Sequence, residues 1–149
     1  MTANLTTKKF GELSLDELYS LLALRSKVFV VEQDSAYHDP DGLDQQALHI
    51  LAHDSGELAG YARLLPPGLK YDEPALGRLV TSQKARKSGI GKQVITEAIR
   101  RIQADFPGET IRIEAQHYLK HFYEGYGFVQ AGGLYELDGI SHIVMLKEK

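Results

Sequence analysis

Three cations and two glycines crowd into "RKSGIGK", Arg86 to Lys92, directly before a helical run of apolar residues. That combination suits an anion. The first amides of a helix have no carbonyl one turn back to bond, and the helix dipole adds positive potential there. Glycine lets a backbone approach a ligand closely, and Arg or Lys side chains add charge-assisted hydrogen bonds. Two phosphate-binding motifs fail on these residues. A Walker A loop needs glycine where Arg86 stands and Ser or Thr where Gln93 stands. A dinucleotide fingerprint needs a third glycine where Val94 stands. The pattern that does fit is Arg/Gln-x-x-Gly-x-Gly/Ala, met by Arg86, Gly89 and Gly91.

Further along, "YLKHFYEGYGF" sets Phe122-Tyr123 ahead of Gly127-Phe128. Titratable side chains that could accept a proton are Glu114, Glu32 and His142, with a water chain that could include His117 as the alternative. Glu114 ranks first because it closes the strand-like "TIRIEA".

Elements of regular structure must carry these groups. "NLTTKKF" reads as a first strand, and "SLDELYSLLALRSKVF" as a helix with Ser14 and Glu17 as a capping box and Leu15, Leu18, Leu22 and Val28 on one face. Val31 to Gln46 is a polar segment with Pro40 and Gly42, expected to be a loop. "ALHILAH" and "LAGYARLL" flank "DSGE" as a hairpin, and "PALGRLVTS" is a central strand. In the following helix Ile90, Val94, Ala98 and Ile102, widened by Ile95 and Ile99, form the buried stripe. After the strand "TIRIEA" and a short helix, "FVQAGGLYEL" and "SHIVMLK" flank the hairpin turn Asp138-Gly139. The order β-α-β-β-β-α-β-α-β-β gives an α/β (α+β) fold, a mixed sheet flanked by helices, with residues 1–149 expected to form a single domain.

Composition narrows the chemistry. With no cysteine, disulfides and thiolate metal sites are excluded. "DPDGLD" lacks the glycine and glutamate positions of an EF-hand, and His49 and His53 alternate with apolar residues as strand histidines, so no metal is expected. A net charge of −3 and aromatics without interleaved basic runs point away from nucleic acid and membrane partners. No signal-like or membrane-length apolar run is visible, so the expected location is cytoplasmic. Charge is nevertheless segregated. From Pro74 to Thr96 the ionised residues are Arg78, Lys84, Arg86, Lys87 and Lys92, whereas Val28 to Ala62 holds seven acids and no Lys or Arg. The acidic stretch is read as a solvated face, or as the side of a site that receives a cation.

The Arg86–Gly91 loop and the Phe122-Tyr123/Gly127-Phe128 pattern resemble the GNAT superfamily of acetyl-CoA-dependent N-acetyltransferases, over Ala75 to Lys149. "LRSKVFVVEQ", "YHDPDGLD" and "DGISHIVM" extend the likeness to the ElaA-type branch over nearly the whole chain. The resemblance implies the acyl-CoA N-acyltransferase fold and acetyl-CoA as cosubstrate. It implies a pyrophosphate loop of Arg86, Lys87, Ser88, Gly89, Ile90, Gly91 and Lys92, and a splayed strand whose Leu79, Val80 and Thr81 bond the pantetheine arm. The Val80 amide is expected to meet the thioester oxygen. Tyr123 becomes the general acid. Gln116 stands where the family usually has Asn. Glu32 and His142 are expected on the substrate side. The implied reaction moves an acetyl group to a primary amine of a small molecule or peptide within a ternary complex. A non-catalytic acyl-CoA-binding regulatory module on the same fold is the alternative. The family also admits a homodimer.

Overall fold

The computed structural model describes residues 3–148. Its strands are β1 (Asn4–Lys9), β2 (Leu48–Asp54), β3 (Glu57–Leu65), β4 (Ala75–Thr81), β5 (Ile111–Gln116), β6 (Val129–Gln130), β7 (Tyr135–Leu137) and β8 (Ile140–Lys147). They form one mixed sheet in the order β1-β2-β3-β4-β5-β8-β6, with β7 also paired to β8. All pairings are antiparallel except β4 with β5. One expected strand is two: "FVQAGGLYEL" divides into β6 and β7 because Gly132, at φ +101°, turns the chain out of the sheet. The Asp138-Gly139 turn forms as its sequence predicts, both residues having positive φ.

Helix α2 (Ile90–Asp105) buries the whole apolar stripe expected of it, Ile90, Val94, Ile95, Ala98, Ile99 and Ile102. Its first turn presses on β3 at Gly60, where an added Cβ would lie 2.8 Å from Ile90 Cγ2 and 3.2 Å from Val94 Cγ2. Absence of a side chain at Gly60 therefore sets how near the start of α2 lies to the sheet. The opposite face is covered by α1 (Leu15–Arg25), whose capping box forms: the Glu17 amide donates to Ser14 Oγ at 3.0 Å and the Ser14 amide to Glu17 Oε1 at 2.8 Å. Its core stripe matches the expected one in part, with Val28 buried and Leu18 and Leu22 packed half-buried against the same cluster. Leu21, Leu24 and Val28 are buried with Leu51, Tyr61 and Val80, while Leu15 is 86% exposed. Leu15 occupies the first turn, and the 3- and 4-residue spacing from Leu21 onward marks the face that meets the sheet. Helical structure also runs further than expected, because Ser26–Glu32 continue α1 as a π-helix and irregular chain begins only afterwards.

The acidic stretch is the largest departure. Asp39 and Asp44 are buried, not solvated. The Arg25 Nε donates to Asp39 Oδ2 at 2.7 Å and its Nη1 to Asp44 Oδ1 at 2.8 Å. Arg63 donates to Asp41 through both Nη atoms at 2.8 Å and to Asp44 at 3.0 Å. Arg78 Nε lies 2.9 Å from Asp39 Oδ1, and the Tyr37 hydroxyl donates to the same oxygen at 2.6 Å. Three arginines thus neutralise the three carboxylates, so these acids hold the segment against the sheet and are not a free receptor for a cation. His49 completes the layer as the satisfied strand histidine expected, with Nδ1 2.6 Å from the Tyr61 hydroxyl and Nε2 2.9 Å from the Asp44 carbonyl oxygen. Among the described residues no helix is long and apolar enough to cross a membrane.

Candidate active site

Two features of β4 open the sheet. Parallel strands β4 and β5 share a single registered pair, Ala75 with Arg112, and then diverge. On its other side β4 carries one extra residue against β3, since Tyr61 faces Val80 but Arg63 faces Gly77. The bulge falls at Arg78, whose φ of +52° is in the left-handed region. Its position decides which amides face the gap. The Ser82 amide bonds to the Ala59 carbonyl at 2.9 Å, so by antiparallel alternation the Tyr61/Val80 pair is again a bonded one. The Val80 amide therefore faces β3. Those of Thr81 and, across the pair, Leu79 face the opening toward β5. This corrects the expectation that Val80 would supply the free donor: its side chain instead belongs to the core under α1.

The gap continues into a cleft of about 660 Å³, within the range of ligand sites. Leu79, Val80, Thr81, Arg86, Gly91, Glu114, Gln116, Tyr123, Glu32 and His142 all line it, so residues chosen from widely separated segments meet in one place. At one end lies the glycine loop. Gly89 caps α2 at φ +92° and, having no side chain, bonds none of its first amides; Lys87 has φ +65°. The amides of Gly91 and Lys92 fall in the first turn of α2, where no intrahelical carbonyl can reach them. Ser88 Oγ donates to the Ala85 carbonyl and accepts from the Ile90 amide at 3.4 Å, holding the turn. The Ile90 side chain is fully buried, so that residue can offer a ligand only its main chain.

At the other end the reactive side chains converge. Tyr123, on α3 (Lys120–Glu124), is 7% exposed and packed edge-on against Phe122 and Phe128. Burial, with the neighbouring Tyr118, pushes its phenol well above the usual range, so it is protonated at neutral pH. Glu114 accepts hydrogen bonds from the Tyr71 hydroxyl and, at 2.7 Å, from the Tyr135 hydroxyl, with Lys70 Nζ 3.4 Å away. His142 lies on the same face of β8, since Gln116 pairs with His142 and Glu114 with Val144. Its Nδ1 is 2.7 Å from the Ile140 carbonyl oxygen, which fixes the proton of the neutral ring there and leaves Nε2 with its lone pair. Gln116 exchanges two amide hydrogen bonds with Gln33, at 3.3 and 3.0 Å. Glu32 does not stand free on the substrate side, because its Oε1 pairs with Arg86 Nη2 at 2.5 Å.

The whole chain matches known proteins in sequence and in shape. Residues 16–149 fit the family described as "Acetyltransferase (GNAT) domain". The chain belongs to the GNAT acetyltransferase family. A UPF0039 protein of Synechocystis is 37% identical over 147 residues, 98% of this chain and 96% of that protein. Among solved structures, an acyl-CoA N-acyltransferase from Pseudomonas aeruginosa superposes with a TM-score of 0.93 at 37% identity, covering 98% of this chain and 99% of that one. Escherichia coli ElaA gives 0.92 at 34% identity, covering 99% and 100%. The fold is accordingly the GNAT acyl-CoA N-acyltransferase fold, and the family implies acetyl-CoA as cosubstrate.

Several residues of this GNAT cleft carried no signal in the sequence. Tyr71 and Tyr135 reach Glu114 from a loop and from the short strand β7, and nothing in their local pattern marks them. Gln33 had no reason to be singled out before Gln116 was seen opposite it. Arg78 was noted only as one of a run of cations, although a non-glycine residue with positive φ in a strand is where a bulge forms.

Proposed function

We propose that this chain is an acetyl-CoA-dependent N-acetyltransferase that moves an acetyl group to a primary amine of a small molecule or peptide, directly and within a ternary complex. The observation that carries the reading is the single-pair junction of β4 and β5, with outward-facing amides on one edge and a cation-rich helix start at its end. The amides of Gly91 and Lys92, together with Arg86 and Lys87, hold the diphosphate, and Leu79 and Thr81 bond the pantetheine arm as a neighbouring strand would. The Leu79 amide donates to the thioester oxygen as negative charge gathers there. His142 Nε2 takes a proton from the amine, and Glu114, oriented by hydrogen bonds from two phenols and paired with Lys70, holds the amine in place. The C–N bond forms, the C–S bond breaks, and Tyr123 gives its proton to the departing thiolate. That assignment shifts the base from Glu114, the first candidate from sequence, because three donors already occupy its oxygens.

Two measurements on the purified protein test this. CoA should raise the melting temperature and bind by calorimetry. Free thiol should then appear when acetyl-CoA is mixed with a panel of primary amines. Folded protein that binds CoA yet turns over no amine across a broad panel would leave a binding module; one that does not bind CoA would end the proposal.

A further inference from the structure

The pyrophosphate loop's arginine already has an anion. Arg86 Nη2 lies 2.5 Å from Glu32 Oε1, and both side chains line the cleft. Their partnership spans 54 residues of sequence. Glu32 ends the π-helix, and the next residue, Gln33, bonds to Gln116 at the end of β5. Consecutive side chains therefore reach the two arms of the opening, Glu32 to the loop beyond β4 and Gln33 to β5. Two residues later Ser35 Oγ donates to the Asp138 carbonyl at 2.7 Å, tying the same segment to the β7–β8 turn.

We propose that Glu32 is a resident anion of the diphosphate site: it occupies Arg86 until the cofactor's diphosphate displaces it. This rests on the reading of Arg86 as a diphosphate ligand. A carboxylate and a phosphate offer the guanidinium the same paired oxygen acceptors, so one can substitute for the other. Displacement is within reach because the pair is partly open to solvent, with Arg86 41% and Glu32 25% exposed, and such pairs are weakly held. Arg86 is thus kept neutralised and in place without ligand, and cofactor binding must break one contact as it makes another. Once released, Glu32 is a free carboxylate at the cleft mouth.

The test is calorimetric titration with CoA of wild type, Glu32→Gln, Arg86→Gln and the double variant, each first shown folded by circular dichroism. Removing the competitor should tighten CoA binding about two- to fivefold, the range given by a partly exposed ion pair. Arg86→Gln should weaken binding, and in its background Glu32→Gln should change nothing, since the guanidinium that Glu32 occupies is gone. Weaker or unchanged CoA binding in Glu32→Gln would overturn the inference and show Glu32 to be a support for Arg86 or a bystander. CoA binding of equal strength in wild type and Glu32→Gln sinks this inference alone, whereas no binding in either sinks the proposed function with it. Should Glu32→Gln fail to fold, Glu32→Ala read by the same titration carries the same two outcomes.

Discussion

Replacing Asp39 by asparagine keeps the shape of the side chain and removes one charge from a closed set of six. Arg25, Arg63 and Arg78 face Asp39, Asp41 and Asp44, and the three positive charges balance the three negative ones. Asp39 is 2% exposed and serves three partners, Arg25, Arg78 and Tyr37. Arg25 has no solvent exposure at all and would keep Asp44 as its one charged partner. Removing one member of a buried ion pair costs about 3–5 kcal/mol, because the partner's charge is left uncompensated. At about 2–4 °C per kcal/mol for a chain of this size, melting should fall by roughly 6–20 °C. Urea unfolding followed by far-UV circular dichroism reads this, tryptophan being absent. Asp34→Asn, at an exposed position in the same segment, should stay within about 0.5 kcal/mol. A loss below about 1 kcal/mol for Asp39→Asn, or one abolished by 0.5 M salt (roughly a 4 Å screening length), would refute the buried network as the force that seats this segment.

Stability should also respond to acid. Burial alone would raise Asp41 and Asp44, yet Arg63 holds the first, and Arg25 with Arg63 the second, below the usual carboxylate range; burial pushes His49 down. All three bind fewer protons folded than unfolded, so stability is full above about pH 6.5. It declines as His49 protonates in the unfolded chain, and falls faster below about pH 4, by up to about 1.4 kcal/mol per pH unit for each group. A flat denaturant midpoint from pH 7 to pH 3 would contradict this. Gly60→Ala should destabilise by about 1–3 kcal/mol through the contact with Ile90, measured as a lower urea midpoint at unchanged slope; a neutral result would mean α2 does not press on β3 there. Tyr123→Phe should lower kcat about 10²- to 10⁴-fold under chemistry-limited conditions while CoA affinity holds, and equal turnover would remove Tyr123 as proton donor. His142→Gln should lower kcat about 10²- to 10⁴-fold while CoA affinity holds, whereas unchanged turnover would return the base to Glu114.

What could be read in advance follows from which interactions are local. The stripe of α2 and the turn at Asp138-Gly139 are written in neighbouring residues, and both formed as expected. The glycine loop was legible for the same reason: cations, glycines and helix start are consecutive. The acidic segment was misread because its neutralising partners, Arg25, Arg63 and Arg78, lie outside it in sequence and arrive only through the sheet. Assigning the free amide to Val80 missed by one residue, since a bulge at Arg78 changes which amides face the gap and leaves no mark in composition. Leu15 was placed in the core because a leucine-rich helix offers more than one apolar stripe, and the sheet chooses among them.

The π-helical stretch from Ser26 to Glu32 is where this segment could lose a residue with the least disturbance. Each residue turns an α-helix by roughly 100°. A π-helix, bonded i→i+5, turns less per residue, so losing one residue there and relaxing to ordinary pitch leaves the ends of the stretch in nearly the same phase, with the carboxylate and the amide still directed at the two arms of the opening. The irregular chain that follows can absorb a changed length by altering its path. A one-residue shortening is therefore tolerable on either side of Glu32, by relaxed coiling before it and by a changed path after it.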